Sequence, residues 1–275
     1  MKLQTLNPPD TKNKVALVSI AHADDLLLFC GGGIATLIQA GWKVIVVRAT
    51  NDRWDSYDLD ESATIEANTR EFSAVTTLLR IHEVIDLNLD TDRLGDFSEV
   101  DLRSQYIDLI REKKPYLVLT FDPDSYLYED NEDHKKVAVS MAEAMWTSGF
   151  DKHPGFKQIE IKPFLPVARW YFGREVAVPT HILDVSSHIN LLISATALHK
   201  TMLINMARQW WLKGHTTGIS LNDFFDGVKQ DTSSLASFIV KKGRQKKSRS
   251  KKYFEIYRVI DDTDVVSTLS RLKGH

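Results

Sequence analysis

Apolar runs of two lengths follow one another along the first half of the chain. The short runs are rich in β-branched residues, which is typical of strands buried in a parallel sheet. They lie at residues 15–20, 43–49, 84–89 and 116–121. The longer segments have apolar residues at helical spacing, and they lie at residues 26–40, 62–80 and 99–113. Because strands and helices alternate, the pattern predicts an α/β fold with a mostly parallel sheet and right-handed crossovers.

The pattern weakens after residue 150. Further strands are predicted at residues 159–166, 167–172, 180–185 and 253–260, and a long helix at residues 187–206. We assign Trp210 and Trp211 to the core rather than to a sugar-stacking surface. The chain is therefore predicted to form one domain over residues 1–275, with the sheet core in residues 1–150 and a smaller C-terminal part packed on it.

Composition and charge narrow the range of possible partners. The 275 residues are 43% hydrophobic with a formal net charge of -2, so no global basic field points to a nucleic-acid partner. The basic run at residues 241–252 is predicted to be a solvated loop rather than a phosphate-binding surface.

The single cysteine, Cys30, excludes a disulfide framework and is typical of a reducing, cytoplasmic location. No apolar run has transmembrane length and residues 1–14 lack a signal core, so no membrane span is expected. The oligomeric state stays open, a homo-oligomer included.

Three ionisable residues, His22, Asp24 and Asp25, lie between the first predicted strand and the helix that follows it. This is the edge at which ligands bind in open α/β sheets. Two carboxylates and an imidazole are costly to bury unless they are paired, solvated or bound to a cation. The pattern therefore predicts either a metal site or a helix cap formed by Asp24 or Asp25, and it leaves both open.

Two other features bear on the same edge of the sheet. His134 follows the acidic, aromatic loop of residues 122–133, in a turn between the fourth strand and the next helix. Alone, such a histidine is typical of a surface or capping residue. Gly31, Gly32 and Gly33 raise the alternative of a nucleotide-binding sheet, but they lie inside the predicted helix and no G-x-G-x-x-G follows the strand.

The segments AHADD at residues 21–25 and NEDH at residues 131–134 resemble the two signatures of a family of N-acetylglucosaminyl deacetylases, the LmbE-like or PIG-L family, which read AHPDD and HPDH. Arg70 and Glu71 resemble its R-E-x-x-A helix, His199 its H-K-S-Q segment, and residues 253–257 its Y-A-E-A-F segment. The resemblance spans most of the chain in the expected order. It implies a Rossmann-like three-layer sandwich with smaller C-terminal strands and helices.

The resemblance also implies a catalytic site. His22, Asp25 and His134 would bind Zn²⁺, a donor set that fits a catalytic zinc with an open position. Asp24 would be the general base that deprotonates the attacking water and passes the proton to the amine. Asn131 stands where the family has a histidine, and it can donate a hydrogen bond to an oxyanion but cannot protonate an amine.

The implied substrate is a small-molecule amino-sugar conjugate that loses an N-acetyl group. Arg70 and Asp90 stand where family members bind sugar hydroxyls, and His199 is a further candidate at the substrate. The alternative is a metal- and sugar-binding family member with little or no turnover, because Asn131 and Leu26 replace a histidine and a glutamate. A non-haem iron also stays open, since two histidines and a carboxylate serve both metals.

Overall fold

The computed structural model describes residues 3–157, 161–246 and 252–272. Within these residues the strands are β1 (Gln4–Thr5), β2 (Val15–Ile20), β3 (Lys43–Thr50), β4 (Glu83–Leu89), β5 (Leu117–Phe121), β6 (Ala168–Phe172), β7 (His181–Asp184), β8 (Gln245–Lys246) and β9 (Tyr253–Asp261). The α-helices are α1 (Asp25–Phe29), α2 (Gly31–Gln39), α3 (Glu61–Leu79), α4 (Glu99–Lys113), α5 (Glu132–Thr147), α6 (Ile189–Ala197), α7 (Lys200–Thr217), α8 (Asn222–Gln230), α9 (Ser233–Lys242) and α10 (Thr263–Leu269). Short 3₁₀ helices cover Pro123–Tyr128 and Ser186–His188.

One sheet contains these strands in the spatial order β1-β7-β9-β6-β5-β2-β3-β4, with β8 paired to β9. From β6 to β4 each pairing is parallel, whereas β9 runs antiparallel to β6 and β7. The predicted mostly parallel sheet is confirmed. The chain leaves β2 for β3 and β4 on one side and then crosses back to β5 and β6 on the other. The loops after the neighbouring strands β2 and β5 therefore run in opposite directions. This is a topological switch point, where a crevice opens at the carboxyl ends of the strands.

Helices cover both faces of the sheet. Successive side chains of β2 pack against helices on opposite faces. Leu17 packs with Tyr106 of α4 and Met141 of α5 on one face, whereas Val18 joins Leu192 of α6 in the cluster on the other face. From its second residue onward β2 is completely buried. A strand buried on both sides has a strongly specified register, so the residues immediately after it start from a rigid base.

The helix predicted over residues 26–40 is divided into α1 and α2, because the C-terminal part of the chain packs against the junction. A Cβ added to Gly32 would lie 2.4 Å from Val185 Cγ1, and one added to Gly33 would lie 2.4 Å from Tyr257 Oη. Cβ atoms do not approach other atoms so closely, so these two positions require glycine for packing.

The same junction argues against the nucleotide-binding alternative. The N–H groups of Gly32 and Gly33 donate to Glu255 at 2.8 and 2.7 Å. In nucleotide-binding sheets a helix N-terminus of this kind binds phosphate. Here a carboxylate of the chain itself occupies that position.

The C-terminal part departs from the sequence predictions at two places. The helix predicted over residues 187–206 is broken at His199, between α6 and α7. Residues 161–166 form no strand, because Pro163 and Pro166 lack the N–H group that a strand ladder needs. Residues 159 and 160 of that predicted strand lie outside the described residues.

Two further assignments are corrected by burial. Trp210 is 46% exposed rather than in the core, whereas Trp211 packs partly buried against the small cluster of α7, α8 and α9. In the basic run, Arg244 is buried rather than solvated, because it pairs with Glu255 at 2.6 Å. Residues 247–251 of that run lie outside the described part of the chain. Among the helices of the described residues, none is both long and apolar enough to cross a membrane.

Candidate metal centre

The loops after β2 and β5 bring three donor side chains together. His22 follows β2, Asp25 begins α1, and His134 lies in the first turn of α5 rather than in the turn before it. His22 Nδ1 is 3.2 Å from His134 Nε2, and Asp25 Oδ1 is 3.1 Å from the same His134 nitrogen. One donor atom from each residue lies within 4.8 Å of the others, and all three residues are buried. Two imidazoles and a carboxylate at this spacing can share one metal ion.

The backbone of the preceding turn holds Asp25 in place. Its Oδ2 accepts hydrogen bonds from the N–H groups of Ala21 at 3.1 Å and His22 at 2.7 Å. Its other oxygen therefore faces His134. Asp24, at the N-terminus of α1, makes no capping hydrogen bond with its side chain. Neither carboxylate caps α1, so the helix-cap interpretation loses its support.

Asp133 positions His22, and sequence reasoning missed it although it lies inside the NEDH segment. His22 Nε2 is 3.2 Å from Asp133 Oδ2. Asp133 in turn accepts hydrogen bonds from the N–H groups of Asp92 at 2.7 Å and Leu94 at 3.0 Å. A carboxylate on the far nitrogen of a metal-binding histidine fixes its ring orientation and tautomer. The remaining nitrogen, Nδ1, then faces Asp25 and His134.

The carboxylates around the two imidazoles favour positive charge in the cluster. Burial alone would lower the pKa of His134, but Asp25 and Glu129 raise it to about 9. Burial would also lower the pKa of His22, but Asp133 and Asp25 raise it well above its ordinary value. Burial would raise the pKa of Asp25, but the two imidazoles hold it below its ordinary range. A divalent cation between these groups meets the same demand as protons do, and the donor set fits one.

Asp24 lies beside this cluster and is partly buried. Burial and the negative charge of Asp25 raise the pKa of Asp24 to about 7. A carboxylate with a pKa near the working pH can both accept and release a proton, as a general base has to do.

Asp52 supports the turn that carries His22. Its Oδ2 accepts hydrogen bonds from the N–H of Ala23 at 3.3 Å and from Arg48 Nη1 at 2.9 Å. Its φ of 54° lies in the left-handed region, which residues other than glycine rarely adopt. Sequence reasoning missed Asp52, because no local pattern signals such a backbone conformation.

Asn131 is the N-cap of α5. Its Oδ1 accepts hydrogen bonds from the N–H groups of Asp133 at 2.9 Å and His134 at 3.3 Å. The cap fixes the first turn of α5 and with it the ring of His134. Because Oδ1 is engaged, any contact of the Asn131 side chain with a substrate falls to the Nδ2 group, which is a hydrogen-bond donor.

The structure places Asp90 and Arg70, both implied as substrate contacts, in different surroundings. Asp90 lies on the loop after β4, at the same edge as the cluster, with its Oδ1 3.2 Å from Arg53 Nη1 and 3.4 Å from Asn51 Nδ2. Arg70 lies on the exposed face of α3, where it pairs with Glu66 at 3.7 Å. Its described contacts include none of the three donor residues.

His199 lies between α6 and α7 and is 1% exposed. Its ring stacks on Phe72 at a centroid distance of 6.4 Å, and among the described residues neither ring nitrogen has a hydrogen-bond partner. Burial and the nearby Arg48 lower the pKa of His199 to about 4. The imidazole is therefore neutral in the folded protein near neutral pH.

We expect the free energy of unfolding of His199→Phe to fall less steeply than that of the wild type as the pH is lowered. A histidine in the unfolded chain has a pKa of about 6.5, so between pH ~6.5 and ~4 the unfolded wild type binds a proton that the folded protein does not. Wild-type stability should fall over this window by up to about 3 kcal/mol from this residue alone. Urea unfolding across the window measures the difference, with the exposed His82→Ala as the control. Parallel curves for wild type and His199→Phe would contradict a buried neutral His199.

These observations define a class of protein, namely an α/β protein with a His-Asp-His cluster at the switch point of its sheet. Residues 17–145 match the family model described as "PIG-L: GlcNAc-PI de-N-acetylase". This match is to the PIG-L, or LmbE-like, family that the motifs of the sequence resemble, and it includes both the AHADD and the NEDH segments. No curated protein shows significant similarity to the sequence.

Solved structures resemble the fold over most of its length. The N,N'-diacetylchitobiose deacetylase from Pyrococcus horikoshii is 18% identical, with a TM-score of 0.68 over 91% of this chain and 85% of that chain. A 4-carboxy-2-hydroxymuconate hydratase from Pseudomonas putida KT2440 is 19% identical, with a TM-score of 0.56 over 90% and 96%. The A40926 pseudoaglycone deacetylase is 17% identical, with a TM-score of 0.55 over 91% and 98%. At these identities the likeness concerns the fold, and the fold accommodates more than one reaction.

Proposed function

We propose that the protein is a zinc-dependent hydrolase that removes an N-acetyl group from an amino-sugar conjugate. The observation that carries the proposal is the convergence of His22, Asp25 and His134 beside the carboxylate of Asp24. The match to the PIG-L family supports deacetylation as the reaction. We place the enzyme in the cytoplasm, since its single cysteine, Cys30, is a buried free thiol.

Each side chain has a role that its contacts allow. Held by His22, Asp25 and His134, zinc would supply Lewis acidity that activates water and polarises the amide carbonyl. Asp24 takes the proton of the attacking water and returns it to the departing amine, because it is a carboxylate beside the donor cluster that is not itself one of the three donors. Asn131 donates a hydrogen bond from Nδ2 to the developing oxyanion.

Asn131 and Leu26 favour a second candidate, a protein that binds metal and sugar with weak turnover. An amide cannot protonate a leaving amine, and Oδ1 of Asn131 is engaged as a helix cap. Leu26 is fully buried and adds no charge to the site. Bound zinc and bound sugar without released acetate would favour this candidate.

The primary test is release of acetate from N-acetylglucosamine glycosides by the zinc-loaded protein. We expect release that a chelator abolishes and that added zinc restores, because the ion supplies the Lewis acid. His134→Ala should lose both zinc and activity, whereas His82→Ala, an exposed histidine, should keep both. Acetate release that persists after complete removal of the metal would contradict the mechanism.

The segment that leads to His134 is rich in acidic residues, which bears on the conjugate attached to the sugar. Residues 122–133 contain six acidic residues and no basic ones, and the exposed ones pair with Arg258, Arg174 and Lys135. Because carboxylates repel a phosphate, we expect kcat/KM for a neutral glycoside to exceed that for a phosphodiester-linked one by about 10-fold at ~0.01 M ionic strength, with a smaller gap at ~0.3 M. Asp130→Asn, at the exposed rim, should narrow the gap. A preference for the phosphodiester at both ionic strengths would contradict this expectation.

A further inference from the structure

Glu129 contacts the ring nitrogen of His134 that faces away from the candidate metal centre. His134 Nδ1 lies 3.1 Å from Glu129 Oε2, and the Glu129 side chain is only 9% exposed. The contact is an ion pair rather than an aligned hydrogen bond, since Nδ1 has no hydrogen-bond partner of good geometry.

The other oxygen of Glu129 is tied to two groups. Oε1 accepts hydrogen bonds from the N–H of Asn131 at 3.0 Å and from Arg174 Nε at 3.0 Å. Arg174 lies on the loop after β6, and its Nε is also 3.4 Å from Asp130 Oδ1. Two loops at the carboxyl edge of the sheet therefore fix the orientation of one carboxylate.

We propose that Glu129 is a positioning residue of the metal centre, and that Arg174 acts on the centre through Glu129. A carboxylate beside Nδ1 keeps the proton of the neutral imidazole on that nitrogen and leaves the Nε2 lone pair for the ion. Asp133 does the same for His22 from the opposite side. The arrangement rests on the metal-binding part of the proposed function, but not on the identity of the substrate.

Arg174 contributes charge and orientation to this arrangement. Its side chain is half-exposed, whereas the carboxylate that it contacts is buried. Without Arg174, the Glu129 carboxylate keeps only the Asn131 N–H on Oε1 and is freer to turn away from His134. The loop after β6, which sequence reasoning did not connect with the site, thereby influences metal affinity.

The neighbouring Glu132 provides a matched control. It belongs to the same acidic segment and carries the same charge, but its side chain is 64% exposed and pairs with Lys135 at 2.8 Å. If general negative charge near the centre were sufficient to favour the ion, Glu132→Gln and Glu129→Gln would have similar effects. If position decides, only Glu129→Gln matters.

The test measures zinc affinity of the purified full-length protein by competition with a chromophoric chelator. We expect Glu129→Gln to weaken binding by about 10- to 100-fold, Arg174→Gln to weaken it less, and Glu132→Gln to leave it within about twofold. In the double variant Arg174→Gln should add nothing to Glu129→Gln, because it acts through that carboxylate. Thermal unfolding of the metal-free variants establishes that each one folds.

The outcomes separate this inference from the proposed function. Unchanged zinc affinity in Glu129→Gln, or an equal loss in Glu132→Gln, would overturn the inference while leaving the metal site intact. A loss from Arg174→Gln that persists in the Glu129→Gln background would overturn the role of Arg174. Zinc-loaded protein that releases no acetate would overturn the proposed reaction but not the positioning role. A wild-type protein without zinc affinity would overturn both.

Discussion

Replacement of Asp24 by asparagine is expected to lower the rate of deacetylation by about 10²- to 10⁴-fold, the range that a positioned general base contributes. The zinc content should stay at the wild-type level, because Asp24 is not among the three clustered donors. Asparagine keeps the size of the side chain but cannot accept a proton from water. Steady-state rates and elemental analysis of the same preparation measure the two effects.

Asp25→Asn is the complementary variant, because Asp25 Oδ1 faces His134 Nε2 while Oδ2 binds the backbone. It should lose zinc and activity together. Asp96→Asn, an exposed aspartate paired with Arg93, should change neither. Loss of zinc from Asp24→Asn would mean that the division of roles between Asp24 and Asp25 is wrong.

The apolar pattern of the sequence could place the turns that carry the candidate donors, whereas the choice of His22, Asp25 and His134 as donors came from the resemblance to the PIG-L family. The β2 run is apolar apart from Ser19, so its end and the turn carrying His22 and Asp25 could be placed within a residue or two. The same holds for β5 and the segment carrying His134. Parallel strands end at one edge of the sheet, so the two turns were expected to meet there.

The residues that orient the donors could not be predicted, because their roles depend on loop conformation. Asp133 reaches His22 and also binds the N–H groups of a turn in which Asp92 has a φ of 59°. Asp52 likewise supports the turn from a left-handed conformation. No spacing rule indicates which acidic residue of a loop turns inward, since loop backbones follow tertiary contacts rather than a period.

The two helix breaks have a similar cause. Apolar periodicity continues through Cys30 and through His199, so a single helix was predicted at each place. Partners distant in sequence decide otherwise. Glu255 and Tyr257 pack against the start of α2, and the ring of His199 stacks on α3. Such contacts are invisible to a window of local sequence.

The reaction itself is a step beyond the fold. A hydratase shares this fold at about the same identity as the deacetylases, so the shape of the sheet does not select between adding water to a double bond and hydrolysing an amide. The reaction depends on the side chains of the site, so variants of the donor cluster and of Asp24 test the proposal more sharply than any further comparison of folds.

Glu255→Ala is expected to destabilise the protein by about 3–5 kcal/mol, the cost of leaving one partner of a buried ion pair uncompensated. Glu255 Oε1 accepts from Arg244 Nη2 at 2.6 Å, and Oε2 accepts from Tyr257 Oη at 2.7 Å. Arg244 is 2% exposed, so its charge would be buried without an anionic partner. A loss of this size is a large share of the ~5–15 kcal/mol that stabilises a typical domain.

Urea unfolding of the metal-free protein measures this effect as a lower midpoint at an unchanged slope. The control is Asp226→Ala, which breaks an exposed pair with Lys229 and should cost less than about 1 kcal/mol. Since the N–H groups of Gly32 and Gly33 also donate to Glu255, the variant should loosen the start of α2 and hence the packing behind α1, which carries Asp25. A change below about 1 kcal/mol would mean that Arg244 finds other acceptors, such as the carbonyl of Leu27 that it already contacts at 3.0 Å.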